Sequence, residues 1–393
     1  MRLKNLPISV DSLIPEKDIY CYFITSYRSK SIKGITKNWN HGIIYCTQIT
    51  AKLITENYEI ENKRVIGLDL NTPHMISIGA NTESTITVIP IRSHNIIGSC
   101  MFLFQSKEGN ILYTGNFRFD NFEIYDEKSF NLLSKYKKNI STLYIDNTYC
   151  NPKFKQKFPS KNQSSQLIQS ICQSHSQNIF VFTFAYNLGI EDILIQLSEA
   201  FHSKIFVPKE IIHLLQIIDK SNFNEFQLSN YFTSQKNVKF LLFSSYKFDF
   251  EKTQKTIGND FITIHIMEPK QNTFANPNNT KEYFVQISFH PSYSEIENFL
   301  HFIEPRDIKP IYIDSPFEFS ETTLDYLFPK DTEEFKNLRL QLQGLSVNEP
   351  INYSSNSKNF PKLRSPKKRG KGAKFIDSSD SSNENNQDNQ DNL

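Results

Sequence analysis

The sequence predicts a mixed α/β protein, and three observations carry that expectation. The first 120 residues read as short apolar runs broken by polar turns, helices and strands alternate from about residue 161, and a strand, helix and strand pattern resumes near 286. At 393 residues the chain has room for two or three units of roughly 100 to 200 residues each.

The opening region contains apolar runs at 19–25 (IYCYFIT), 43–46 (IIYC), 64–70, 85–91 (TITVIPI) and 99–105 (SCMFLFQ). They lie too close together for many helices, so this region is expected to be mostly sheet. Within it, MFLFQSKEGNILYTG sets Glu-Gly-Asn between two apolar runs, which signals a hairpin. From 161 onward SSQLIQSICQS reads as an amphipathic helix, NIFVFTF as a strand, IEDILIQLSEAF as a helix, KIFVP as a strand and EIIHLLQII as a helix. Such alternation predicts parallel pairing. Residues 220–285 carry a weaker pattern; YFVQISF, YSEIENFLHFI and IKPIYI then read as strand, helix and strand, continuing to about 330.

Residues 351–393 lose nearly all apolar side chains and are expected to form a disordered tail. The tail carries KLRSPKKRGKGAK and then the acidic, serine-rich DSSDSSNENNQDNQDN. The basic cluster, centred on Lys367, Lys368, Arg369 and Lys371, suits either a solvated linker or a nuclear-import or nucleic-acid-contacting segment.

Composition narrows the class. Hydrophobic residues make up 38% and aromatic residues 13%, which belongs to a folded protein. A net charge of +2 argues against wholesale coating of nucleic acid and leaves room for a local basic groove. The five cysteines form no C-x-x-C pair and fit a reducing, intracellular compartment. The N-terminal stretch has no apolar signal core and no run approaches a membrane span, so a soluble, non-secreted protein is expected.

Six segments, in order, carry a resemblance: YFITSYRSKSIKGI, SHNIIGSCMFLFQ, ILYTGNFRF, LYIDNTYCNPKF, AYNLGIEDILIQLSEAF and ISFHPSYSEIENFLHFI. Together they resemble the Artemis-like DNA-repair nucleases of the metallo-β-lactamase/β-CASP family, over about residues 15–325. The resemblance implies a four-layer αββα fold interrupted by an inserted β-CASP domain. The expected boundaries are 1–160 for the first part of the metallo-β-lactamase domain, 161–285 for the insertion, 286–350 for the return segment and 351–393 for the tail.

In that family one or two metal ions, zinc among them, are held by His and Asp and generate the hydroxide that cuts the phosphodiester. The signature loop His-x-His-x-Asp-His is matched here by Ser26, Tyr27, Arg28, Ser29, Lys30 and Ser31, so all four ligand positions are changed. Guanidinium and ammonium groups have no lone pair to offer and repel a dication. The aspartate of TGDFR, which bridges the metals, is Asn116. His94, Asp146, Glu191 and His290 match retained family positions, with Asp146 and Glu191 in the catalytic set and His94, Asp146 and His290 as residual ligands. His265 and Lys239 are further candidates for β-CASP histidine positions. A lone strand histidine such as His265 is more often a satisfied core residue than a ligand.

Three readings follow. The first is a DNA-repair pseudonuclease that binds DNA ends, with Arg28, Lys30 and Ser292 contacting phosphate, zinc absent or weakly held, Asp146 ion-paired with the loop cations, and the nucleus as its place. The second is a working metal-dependent 5′ exonuclease or structure-specific endonuclease with an unusual ligand set. The third is a repair scaffold that binds no DNA and recruits protein partners through its tail.

Overall fold

The computed structural model describes residues 1–3, 6–28, 30–79, 84–119, 127–151, 154–155, 158–220, 227–269 and 281–312. All belong to one compact unit, Met1–Ser346. Ser29, the end of the expected return segment and the tail with Lys367, Lys368, Arg369 and Lys371 lie outside the described residues.

Three sheets organise the described chain. Strands β1 (Ile8–Val10), β2 (Cys21–Phe23), β3 (Ile43–Thr47) and β4 (Val65–Leu68) form the first, parallel throughout. The second runs in the order β16 (Ile308–Pro310), β9 (Ile140–Ile145), β8 (Gly109–Tyr113), β7 (Cys100–Ser106), β6 (Thr85–Arg92), β5 (His74–Ser77). In it β7 and β8 are the hairpin expected from MFLFQSKEGNILYTG. The third sheet is wholly parallel, in the order β12 (Phe232–Thr233), β11 (Ile205–Phe206), β13 (Phe240–Ser244), β10 (Ile179–Phe184), β14 (Phe261–Met267), β15 (Glu282–Gln286).

Side-chain alternation along the strands stacks the layers. On the first two sheets Cys21, Phe23, Phe102, Phe104 and Tyr113 point inward and share one core. The intervening residues Tyr22 and Ile24 face outward and pack with Ala51 and Ile54 of helix α1 (Gln48–Tyr58). On the far side Met101, Leu103 and Leu112 pack with Leu133 of α2 (Glu127–Tyr136) and with Ile296, Phe299 and Ile303 of α7 (Tyr293–Ile303). Helix, sheet, sheet and helix thus follow one another as the resemblance implies. Helix α1 is an element of this mostly-sheet start that the pattern did not mark: its buried residues are Thr50, Ala51, Leu53 and Ile54, too mixed in polarity to read as a stripe.

The third sheet packs with α3 (Lys161–Ser174), α4 (Glu191–Phe201) and α5 (Lys209–Lys220) around a separate core. That core also takes in Leu53, Ile96 and Phe289, which lie on the two flanking stretches of chain. The parallel pairing expected from the alternating texture is present in every pair of this sheet.

A buried ion pair ties the second sheet to α7. Arg118 donates to both carboxylate oxygens of Glu295, at 2.9 and 3.0 Å, and to the Ser288 carbonyl at 2.9 Å. Glu295 also accepts from the Phe119 amide at 2.9 Å and from the Ser292 hydroxyl at 3.1 Å. Arg118→Ala strands a buried carboxylate and is expected to cost about 3 to 5 kcal/mol of stability. Ser292→Ala, which removes a helix cap, should cost about 1 kcal/mol. Urea denaturation checks both, and a loss for Arg118→Ala no larger than that of the cap variant would deny the pair a structural role.

Candidate functional site

The ends of several strands converge where the expected metal positions lie. After β2 the chain enters the loop Thr25–Ser31, pinned at its start by Asp11: the carboxylate accepts from the Thr25 amide at 2.9 Å and the Thr25 hydroxyl at 2.7 Å. Burial pushes the Asp11 carboxyl up, against those hydrogen bonds. From the other side comes Gly115, whose φ of +54° suits a residue without Cβ. A Cβ there would stand 2.6 to 2.9 Å from the Thr25 side chain. This close approach sets Asn116 beside the loop.

Asp146 follows β9 directly and is 0% exposed. One carboxylate oxygen contacts Nδ1 of His290 at 2.6 Å, and the other accepts from the Thr148 amide at 3.0 Å and the Thr148 hydroxyl at 2.7 Å. Tyr312 closes over this pair: its ring centre is 6.2 Å from that of His290, and its hydroxyl donates to Asn116 Oδ1. Tyr312 is held in place by reciprocal 2.9 Å bonds between its backbone and the Asn147 amide.

The loop cations take different places. Lys30 is exposed, with Nζ 5.0 Å from the centre of the Tyr312 ring. The Arg28 side chain is only 8% exposed; its guanidinium carbon lies 4.2 Å from the Tyr186 ring centre and 4.6 Å from that of Phe289. Its carboxylate neighbour is Glu268, at 4.0 Å. The ion pair expected with Asp146 is therefore replaced, because Asp146 is already committed to His290 and Thr148. Neither Nη atom of Arg28 has a hydrogen-bond partner, nor has Oε1 of Glu268. Ser26 and Ser31 are buried side by side, hydroxyls 3.4 Å apart.

The remaining expected residues lie around this centre. His94 opens the 94–99 loop with φ +52°, and the next residue, Asn95, donates to the Phe289 carbonyl at 3.1 Å. Glu191 begins α4, is buried, and accepts from the Gly189 amide at 2.7 Å. Ser292, expected at phosphate, is buried at the start of α7, where its hydroxyl caps the helix, so the surface role expected of it is withdrawn. His265 bonds Thr183 at 2.8 Å and stacks on Phe284 as a satisfied side chain. Lys239 precedes β13, at the end of the strand away from Glu268, and binds the Ser176 carbonyl at 2.6 Å. Sequence reasoning missed Asp11, Thr148, Tyr186, Glu268 and Tyr312. Asp11 and Glu268 had a local signal, each an acid immediately following an apolar strand, Ile8–Val10 and Phe261–Met267.

The donors present do not fit a hydrolytic metal centre. Such a site needs about three protein ligands and an open position, whereas among the described residues no group of three or more His, Cys, Asp or Glu converges. The cysteines are all buried, with no disulfide among them, and burial pushes the Cys150 thiol, near Asp146, up to about 12. Among the described residues no helix is long and apolar enough to cross a membrane.

Together these layers and this cleft define a metallo-β-lactamase-like α/β protein. A crystal structure of a protein of unknown function from Enterococcus faecalis superposes with a TM-score of 0.52 at 14% identity, covering 77% of this chain and 80% of that one, a likeness of fold alone. No family model matches the chain. The 5′ exonuclease Apollo of Danio rerio is 28% identical over 318 residues, 79% of this chain and 51% of the relative. Human Artemis is 26% identical over 294 residues, 68% of this chain and 41% of the relative. By sequence the chain is similar to the Artemis-like DNA-repair nucleases. It spans about half the length of the relatives it matches.

Glu191 yields a pH prediction. Burial raises its carboxyl from 4.5 to about 7, with the Gly189 amide opposing, so the folded protein binds a proton that the unfolded chain has released. Its favourable contribution is complete below pH 4.5 and is lost as pH rises through about 7, a change on the order of 3 kcal/mol. Glu191→Gln should flatten the stability profile across that window in urea denaturation; an unchanged slope would show that the carboxyl titrates normally.

Proposed function

We propose that this chain is a DNA-end-binding member of its family that holds phosphate with loop cations and does not hydrolyse it. The observation that carries the reading is the coordinated exchange of ligand positions. Lys30 and Arg28 bring positive charge to the loop, Asn116 carries no charge and accepts from Tyr312, and Asp146 and His290 are turned upon each other. Lys30 is exposed and makes the first contact with an anion. Arg28 stands behind it with neither Nη group hydrogen-bonded, which phosphate oxygens satisfy once the Tyr186 ring shifts.

Zinc has no step in this reading. A neutral amide at Asn116 cannot supply the bridging charge that holds two dications together, and both oxygens of Asp146 are already engaged. The unit carrying the third sheet, residues 161–285, is read as the inserted β-CASP domain, with 286–350 as the return to the first domain. Repair of double-strand breaks or cross-links is the process this implies, and the nucleus its place. The basic segment around Lys367, Lys368, Arg369 and Lys371 then serves import, and alanines at those positions are expected to leave a fluorescent fusion in the cytoplasm.

Metal analysis and a cleavage assay test the central claim. Purified protein is expected to contain well under one zinc per chain and to leave 5′-phosphorylated single strands and hairpins intact in zinc, magnesium or manganese. Arg28→Ala with Lys30→Ala should weaken binding roughly tenfold and lower the salt slope by one to two phosphate contacts. Metal-dependent cutting that Asp146→Ala abolishes would establish a working nuclease instead, and wild-type protein with no salt-dependent affinity would leave the scaffold reading.

A further inference from the structure

The carboxyl ends of three adjacent parallel strands carry a row of side chains. Phe184 of β10 is in register with Ser244 of β13 and Ile266 of β14. Two residues further along stand Tyr186, Tyr246 and Glu268. The chain leaves β10 towards β11 on one side and leaves β13 in the opposite direction, across β10 to β14. Where connections part in this way, the crevice outside the carboxyl ends of the two strands is the place an open parallel sheet holds a ligand. Tyr186 and Tyr246 sit at that crevice.

The two rings differ in role. Tyr186 is half-buried, with Arg28 over its face and Phe289 edge-on at 5.8 Å. Tyr246 is 83% exposed, the largest exposure among the bulky apolar or aromatic side chains described. Arg28 lies over the Tyr186 ring and 4.0 Å from Glu268, and the sheet register sets Tyr246 in the same row as both; burial, then Glu268, raise the Tyr186 phenol while Arg28 opposes. Lys247 follows Tyr246, and Lys236 lies 5.6 and 5.9 Å from the centres of the Phe206 and Phe243 rings on the same strand ends. An exposed aromatic surface beside enclosed and exposed cations matches one ligand chemistry, a planar base joined to a phosphate.

We propose that Tyr246, backed by Tyr186, is a stacking platform for an unpaired nucleobase next to the phosphate held at Lys30 and Arg28. The inference rests on the DNA-end reading above and adds the part of the substrate that this end of the sheet recognises. A protein segment docking on the same ring is the competing occupant. It predicts no dependence on the presence of a base.

The test uses the full chain and two 5′-phosphorylated single strands of equal length and charge, oligothymidylate and an abasic oligomer, followed by fluorescence anisotropy over a range of salt. Tyr246→Ala is expected to weaken oligothymidylate binding about fivefold or more, leaving abasic binding and the salt slope unchanged, while Tyr246→Phe retains affinity. Equal loss for both strands, or no loss, overturns the platform while leaving the phosphate site standing. If Arg28→Ala with Lys30→Ala changes nothing but the Tyr246 effect persists, the phosphate reading fails and the platform stands. Wild-type protein that binds neither strand overturns both.

Discussion

The buried pair between Arg118 and Glu295 is the constraint on which the site depends. It joins a strand end in the first part of the chain to a helix that follows the whole third sheet, 177 positions later. Asn116 lies two residues before Arg118, and His290 lies five before Glu295, so this one contact fixes the approach of both site segments. Its geometry explains why it is tolerated in the interior. Two parallel N–H bonds, a carbonyl on the third nitrogen, and amide and hydroxyl donors on the carboxylate leave little desolvation uncompensated. The pair therefore holds the scaffold around the site independently of what the site binds.

The two acidic sites in the cleft have been neutralised by different means. Asp146 is saturated by His290 and Thr148, and Glu268 faces the guanidinium of Arg28 at a distance too long for a good hydrogen bond. The second arrangement is the poorer one, since a buried ion pair with unmet donors forgoes much of its attraction. Contact with two aromatic faces offsets part of that cost. An anion that reached Arg28 would gain what the folded protein leaves unmade there, whereas both oxygens of Asp146 already have partners.

The layers were legible in the sequence because strand alternation and helix amphipathicity were strong where they mattered. The hairpin β7–β8, the parallel unit and α7 all lie where the apolar pattern put them. Helix α1 was hidden because it buries Thr50 and Ala51 along with Leu53 and Ile54, a face set by what packs on it rather than by its own hydropathy. At the site, Ser26, Arg28, Lys30, Asn116, Asp146 and His290 could be named because they fall at positions with a family pattern. Glu268 and Tyr186 could not, since they meet Arg28 only through the register of a parallel sheet, a long-range relation that no local spacing encodes. Tyr312 read as the apolar end of IKPIYI, and its hydroxyl found Asn116 across 196 positions.

The aromatic content, read from composition as core, has a second use around these charges. Tyr149, Tyr186, Phe289 and Tyr312 wall the cleft, and burial raises the phenols of the three tyrosines. Such walls exclude water and strengthen every electrostatic term inside them. In that setting a buried carboxylate is costly unless it has a counter-charge or a proton donor. Arg28 opposite Glu268, and His290 with Thr148 on Asp146, meet that need separately, while the neutral Asn116 adds no charge. The positions are therefore coupled: a carboxylate placed at 116 would add charge to an apolar enclosure whose Arg28 and His290 are already engaged with other carboxylates.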